Sequence, residues 1–438
     1  MLPQRDLQEV GADLPNQWRG GQQTASQPLP DKWVETFDDA QLQELVATAL
    51  VNNYELKAAA ARVDAAIAQA RIDGSGRWPQ IFMSTDREQA QIREAGFGSS
   101  DFGVFEVLFG ISWEVDVWGR IRDIQQAAIS EADATNTDYY GARLSLAARV
   151  AQIYFELIEA KLQAAVVEES IKDRTIIASL VRGRFQRGLV RGLDLRLALT
   201  DLANAEAELE ETRNRIQATA RRLETLLGHY PQGNALQVTT LPPLPGVIAA
   251  GLPAELLERR PDVVAAFSRL QAADFYMTSS KKLRLPRITL TAAGGTRTAD
   301  LTELADPRSA AWNVFAGLMQ PLFTGGRIEG EISRNQAHAE EALNLYKNTA
   351  LNAFREVEQA LAAEEWLRGQ EISLRKAVEQ TEASQELAVY SYRNGLIQIL
   401  TLLDSYRSTL VAQSAHLSIT RQLLSNRVNL YLALGGNV

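Results

Sequence analysis

The sequence predicts a mixed α and β chain built as a tandem internal repeat, each copy a hairpin of strands followed by a long helical hairpin. Three observations predict it: one ungapped internal offset, two proline-free tracts, and two stretches of period-two alternation. WGRI at 118–121 matches GGRI at 325–328, an offset of 207 residues. The same offset pairs Pro79 with Pro286, Phe185 with Tyr392, Gly188 with Gly395, Leu195 with Leu402 and Gly228 with Gly435. A period this long means two copies of one large unit, not a solenoid array. The chain therefore divides into an N-terminal extended segment over 1–44, a first repeat over 45–228, an inter-repeat linker over 229–251, a second repeat over 252–435 and a tail over 436–438.

The helices follow from proline. Prolines cluster at 3–30, 79, 231–261, 286, 307 and 321, leaving 80–230 and everything after 321 without one. Proline removes a helical hydrogen bond and clashes with the preceding turn, so these blanks permit very long helices, and Ala, Leu, Glu, Gln and Arg fill them. Leu144, Ala148, Ala151, Phe155, Ile158, Leu162 and Ala165 alternate spacings of four and three, the seam of a coiled coil. A helix from Ile121 to Phe185 would run on the order of 95 Å at ~1.5 Å per residue. A second seam runs Leu195, Leu199, Leu202, Glu206, Leu209, Arg213, Ile216, Ala220, Leu223 and Leu227, with Gly228 as its C-cap. Between the arms, RFQRGLVRGLD and SYRNGLIQILT each place a glycine, Gly188 and Gly395, where a tight reversal needs positive φ.

The strands precede the long helices. Phe105, Val107, Phe109, Ile111, Trp113, Val115 and Val117 alternate with Glu106, Leu108, Gly110, Ser112, Glu114 and Asp116, and Trp312, Val314, Ala316 and Leu318 repeat the apolar set. PQIFMSTD and PRITLTAA supply the other arms, and the Gly-, Ser- and Asp-rich EAGFGSSDFG and GGTRTADLTELADPRS read as surface loops. An apolar, aromatic face on strands with no other sheet to pack on fits a transmembrane barrel wall, with Phe105, Phe109, Trp113 and Trp312 facing lipid. Four strands cannot close a barrel alone, so this reading demands several copies.

Composition narrows the rest. The 438 residues carry a net charge of −9 without a Lys/Arg cluster, which argues against a nucleic-acid partner. There is no cysteine, which excludes disulfides and thiolate metal sites and fits a periplasmic setting. No run of roughly 18 apolar residues offers a spanning helix, and MLPQRDLQEVGADLP reads as a mature or trimmed start. His229, His338 and His416 match no metal-ligand spacing, no nucleotide or hydrolase motif is present, and neither enzyme nor cofactor is expected. A soluble coiled-coil scaffold is the rival class; it leaves the aromatic strand face without a purpose.

Together the tandem copy, the strand pairs, FQRGLV and YRNGLI, LLDSYR, and the ending NLYLALGG resemble the outer-membrane channel family of tripartite efflux and secretion systems, the TolC and OprM type. The likeness covers nearly the whole chain, and the entry segment WVETFDDAQLQELVATALVNNYELKAAAARV is similar to that of OprM-like lipoprotein members. The resemblance implies a homotrimer in the outer membrane of a Gram-negative bacterium: a trimeric β-barrel with four strands per chain, continued by a long α-helical coiled-coil tunnel through the periplasm. It implies an equatorial girdle from the N-terminal segment, the linker and the C-terminus. The implied partners are a periplasmic adaptor, an inner-membrane pump of the RND type and outer-membrane lipid. The implied role is passive exit of drugs or other small molecules, with type I protein secretion as the alternative.

The resemblance further implies a gate at the turnarounds. Asp404 matches the gate aspartate, Leu400 a constricting apolar ring, Tyr392 and Arg407 the positions that lock the gate, and Asp194 the carboxylate that the tyrosine contacts. Gly188, Leu189, Gly395 and Leu396 match the tips that dock an adaptor. Thr401 stands where TolC-type channels carry a second gate aspartate, and the lipidated cysteine of OprM-like members has no counterpart in this chain. From the residues alone, Asp404 and Arg407 are equally readable as an ordinary surface pair at i, i+3.

Overall fold

The computed structural model describes residues 5–6, 17–20, 32–94, 98–234, 240–246, 250 and 252–437. Much of the N-terminal segment expected over 1–44, and parts of the linker, lie outside the described residues, and the segment's described end is not extended but forms a 3-10 turn at Trp33–Phe37 and the start of a helix at Ala40. The repeat is visible element by element. Helix α1 (Ala40–Asn52) and α2 (Tyr54–Ser75) lead into β1 (Gln80–Glu94), β2 (Gly98–Val115), α3 (Arg120–Gln186) and α4 (Gly192–Leu226). The second copy runs α5 (Pro253–Arg259), α6 (Pro261–Lys281), β3 (Arg287–Thr298), β4 (Ala310–Met319), α7 (Arg327–Arg393) and α8 (Ile399–Ala433). Helices α3 and α7 are each 67 residues long and α4 and α8 each 35, so the 207-residue offset holds at both ends of every long helix.

The chain forms two compact units. The first gathers Ala61–Thr137 and Val264–Asn348 and contains one four-stranded antiparallel sheet in the order β1-β2-β3-β4. The register places Met83, Phe109, Gly294 and Trp312 in one cross-strand row. Ile81, Ile111, Ala292 and Val314 form the next, followed by Trp113, Leu290 and Ala316, then Val115, Ile288 and Leu318. Cross-strand partners share a face, so one face is apolar over four rows. The opposite face carries Gln80, Ser84, Asp86, Glu106, Ser112, Glu114, Thr289, Thr291 and Arg297, with Arg297 Nε 3.3 Å from Glu106 Oε2. Leu108, Phe82 and Phe315 break this polar face, and each phenylalanine covers a glycine: a Cβ on Gly110 or Gly317 would overlap the ring of Phe82 or Phe315. Pairing also runs further than loop composition suggests. The Gly/Ser-rich 98–103 belongs to β2 and Gly294–Thr298 to β3, because ladder hydrogen bonds override weak strand propensity.

The second unit gathers Val10–Ala60, Asp138–Val263 and Thr349–Val438. Its largest core joins a 3-10 turn at Trp33–Phe37 and α1 to α3, α4 and α8. Trp33 stacks on Tyr431 at 5.6 Å and Phe37 meets Phe155 at 5.4 Å. Arg427 of α8 is fully buried, yet satisfied: its guanidinium donates to Glu364 of α7 and to the carbonyls of Pro245 and Gly246 in the inter-repeat linker. A charge so placed pins the linker to the second hairpin.

The seams hold in the upper part of these helices and drift below it. Leu144 to Ile158 are buried as expected, but Ala165 is exposed while Gln163, Ala164 and Val167 turn inward. On α4 the buried stripe toward the turn is Ala198, Asp201 and Ala205, one residue or so away from the expected Leu199, Leu202 and Glu206. A 3.6-residue helix drifts relative to a strict heptad, and alanine at the contact lets helices approach more closely than leucine does.

Candidate functional site

Both turnarounds close by the same backbone device. Gly188 N–H donates to Phe185 O (2.9 Å) and Leu189 N–H to Arg184 O (3.0 Å); Gly395 N–H donates to Tyr392 O (3.0 Å) and Leu396 N–H to Ser391 O (2.9 Å). This paired closure needs a left-handed residue, and the glycines sit at φ 73 and 75 with open space around them. Leu189 and Leu396 are left 67% and 70% exposed at the two tips.

The tips are tied to each other by Arg184. Its guanidinium donates to the carbonyls of Tyr392 (3.2 Å) and Arg393 (2.7 Å) at the C-terminal end of α7, and lies 4.9 Å from the Tyr392 ring. Tyr392 packs with Ile177, Val181, Ala198, Ile399, Leu402, Leu403 and Tyr406. Its hydroxyl is buried with no hydrogen-bond partner among the described residues. Burial raises its ionisation above the ordinary phenol value; Arg184 opposes the shift and the charge of Asp194 adds to it.

Asp194 is close enough to influence Tyr392 electrostatically, but it is not hydrogen-bonded to it. Its carboxylate caps its own helix, accepting Arg191 N–H at 3.1 Å. Arg407 reaches neither Asp404, the i, i+3 partner that the sequence offers, nor Asp194. Its nearest carboxylate is Asp201, with Nη2 3.8 Å from Oδ1. Asp201 in turn holds Arg174 of α3, Nε to Oδ2 3.1 Å, with side chains only 5% and 8% exposed. The sequence reading missed Asp201, Arg174 and Arg184. The signal for two of them lay in the repeat: 207 residues on, Arg174 and Asp201 become Thr381 and Ser408, so the pair exists in one copy only.

Leu400 and Asp404 lie on the exposed side of α8, with Leu400 57% exposed. They line an open cleft of ≈ 470 Å³ between α4 and α8 together with Leu197, Asp201 and Arg407. Asp404, Leu400 and Arg407 thus share one groove, and Asp194 and Tyr392 stand outside it.

In the sheet unit, Phe109, Trp113 and Trp312 occupy the apolar face as expected. Phe105 does not belong to the apolar band proper. Its row contains Arg87 and Thr298, and the Arg87 guanidinium lies 5.1 Å from its ring. That row is where the apolar surface ends. Among the described residues no helix is long and apolar enough to cross a membrane, and no group of three His, Asp or Glu could hold a metal ion.

Comparison with known proteins agrees with this construction. The family model of outer membrane efflux proteins matches residues 45–229 and again 252–436. The pyoverdine export outer membrane protein OpmQ of Pseudomonas putida KT2440 is 31% identical over 98% of this chain and 93% of its own. The outer membrane protein OprJ of Pseudomonas aeruginosa PAO1 is 32% identical over 92% of this chain and 86% of its own. Among solved structures, the Campylobacter jejuni CmeC outer membrane channel superposes with a TM-score of 0.92 at 25% identity, covering 99% of this chain and 94% of that one. The open state of the Neisseria gonorrhoeae MtrE outer membrane channel gives 0.86 at 25% identity, covering 100% and 98%. With both repeats matched and the likeness running the length of the chain, it belongs to the outer membrane efflux protein family.

Proposed function

We propose that three copies of this chain form the outer-membrane exit duct of a tripartite efflux pump, a conduit that performs no catalysis. One observation carries the reading: a four-stranded sheet with one apolar face and with the outer edges of β1 and β4 unpaired among the described residues. Unpaired edges and an apolar face are together unstable in lipid unless the sheet closes. Three four-stranded sheets give twelve strands, enough for a barrel with an open lumen. The four apolar rows from Phe109 to Val115 cover roughly 20 Å of strand, about 16 Å of height at the usual barrel tilt, and the row of Arg87 and Phe105 lies beyond them at the polar margin. The polar face then lines the lumen.

The helical end carries the gate. Asp404 and Leu400, exposed on α8, would narrow the duct around the three-fold axis, and the links of Arg184 to the end of α7 and of Arg407 to Asp201 would hold it shut. Leu189 and Leu396 at the tips offer apolar contacts to a periplasmic adaptor, itself joined to an inner-membrane pump of the RND type. The names of relatives span pyoverdine, toluene and solvent export, which supports a duct whose cargo is chosen upstream. The first test is mass in detergent. The expected particle is a trimer that stays folded only when assembled; a stable, folded monomer would overturn the reading.

A further inference from the structure

The apolar face of the sheet ends beside a cleft that is cationic. Where β2 leads into α3, Trp113 and Val115 of the apolar face, with Trp118, border a cavity of ≈ 700 Å³ that is also lined by Arg77, Arg122 and Lys282. The two carboxylates in this cleft are already engaged. Asp116 accepts the backbone N–H groups of Ile121 (3.1 Å) and Arg122 (2.8 Å), and Asp123 lies 2.6 Å from Lys282 Nζ. Lys282 also donates to Gly119 O at 3.0 Å. Arg77 donates to the neutral side chain of Gln125 at 2.7 Å, and the exposed Arg122 guanidinium has no protein partner among the described residues. The cleft thus holds three cations against two carboxylates, and neither guanidinium is in an ion pair among the described residues. Trp113 and Trp118 beside them are held by their indole N–H groups, which donate to Arg77 O (3.0 Å) and Pro286 O (2.7 Å).

We propose that this cleft binds the headgroup phosphate of an anionic phospholipid in the leaflet nearer the helices, with Arg77 and Arg122 as phosphate ligands. The guanidinium fork matches phosphate oxygens, and tethered indoles at the foot of a hydrocarbon wall suit the membrane interface. The acyl chains continue along the Trp113 and Val115 rows, so the headgroup site is continuous with the apolar face. The proposal rests on the reading of that face as lipid-facing.

The test is native mass spectrometry of the delipidated assembly in neutral detergent, titrated with phosphatidylglycerol or phosphatidylcholine. Preferential, saturable retention of phosphatidylglycerol is expected. Arg122→Gln is expected to weaken it roughly fivefold; this exposed side chain makes no hydrogen bond or ion pair among the described residues, so the variant is expected to fold. Arg77→Gln with Arg122→Gln is expected to erase the preference, and Arg308→Gln, in the loop between β3 and β4, to leave it intact. Equal retention of both lipids, or an unchanged preference in the double variant, would overturn the site. Displacement of the lipid by an equal concentration of inorganic phosphate would assign a free-phosphate site instead and overturn it as well. Vesicle insertion, read in parallel, separates the two readings. A chain that enters neither kind of vesicle overturns the lipid-facing sheet and the site with it, whereas insertion without headgroup preference overturns the site alone.

Discussion

Asp201 holds two arginines on one carboxylate, and the two are not equivalent. Arg174 is buried with it inside the first hairpin, while Arg407 approaches from the second hairpin at 3.8 Å and remains mostly in solvent. Breaking a buried pair leaves an uncompensated charge, at a cost of roughly 3–5 kcal/mol; losing a partly exposed contact costs about 0–1 kcal/mol. The two halves of the network should therefore separate under mutation. Asp201→Asn is expected to lower thermal stability markedly, because Arg174 is stranded. Arg407→Ser is expected to leave the melting temperature nearly unchanged and to raise single-channel conductance, because it removes only the contact between hairpins. Differential scanning calorimetry and planar-bilayer recording on the same preparations decide it. Equal stability losses, or an Arg407→Ser channel that conducts as the parent does, would remove the latch role.

At the scale of elements, long helices, strand pairs and turnarounds were legible because their causes are local and repeated. Proline exclusion bounds α3 and α7, period-two alternation marks β2 and β4, and a glycine is required at each reversal. What was illegible depended on partners in space. A buried aspartate contradicts every hydrophobic pattern, so Asp201 could not be read as part of the α4 stripe without knowing that Arg174 faces it. Phe105 fits the alternation perfectly, and only the register shows that Arg87 sits beside it. Asp194 looked like a partner for Tyr392, yet at the start of a helix a carboxylate finds backbone N–H groups first. The tips carry a prediction of their own. Leu396 is exposed and the glycine before it already satisfies the turn, so Leu396→Asp should leave the helical hairpin folded. Leaving the fold intact while abolishing export is the result expected of a docking residue. Unchanged drug susceptibility in cells complemented with this variant would show that the tip is not where an adaptor binds.

For the whole molecule, duplication gives pseudo-symmetry, and the residues proposed for the gate lie where the copies differ. At the 207-residue offset Asp404 corresponds to Leu197, Arg407 to Thr200, and Thr401 to Asp194. Two copies per chain and three chains would otherwise line the narrow end with six equivalent helical positions. At the level of Asp404 the carboxylate is therefore on α8 alone, because α4 has Leu197 there, while Asp194 on α4 caps its own helix, so the proposed constriction carries one Asp404 carboxylate per chain. A ring of three like charges in a water-filled pore favours cations and is screened by salt. Asp404→Ala should therefore weaken cation preference, most clearly at low ionic strength, without changing assembly. Thr401→Asp adds a second carboxylate one helical turn earlier and should strengthen it, along with block by trivalent cations. The pair of variants is more discriminating than either alone, since a general loosening of the gate would move both in the same direction. Reversal potentials in asymmetric salt report the outcome. If they shift together, or if neither differs from the parent, Asp404 is an ordinary solvent-facing carboxylate and the selective ring lies elsewhere along the duct.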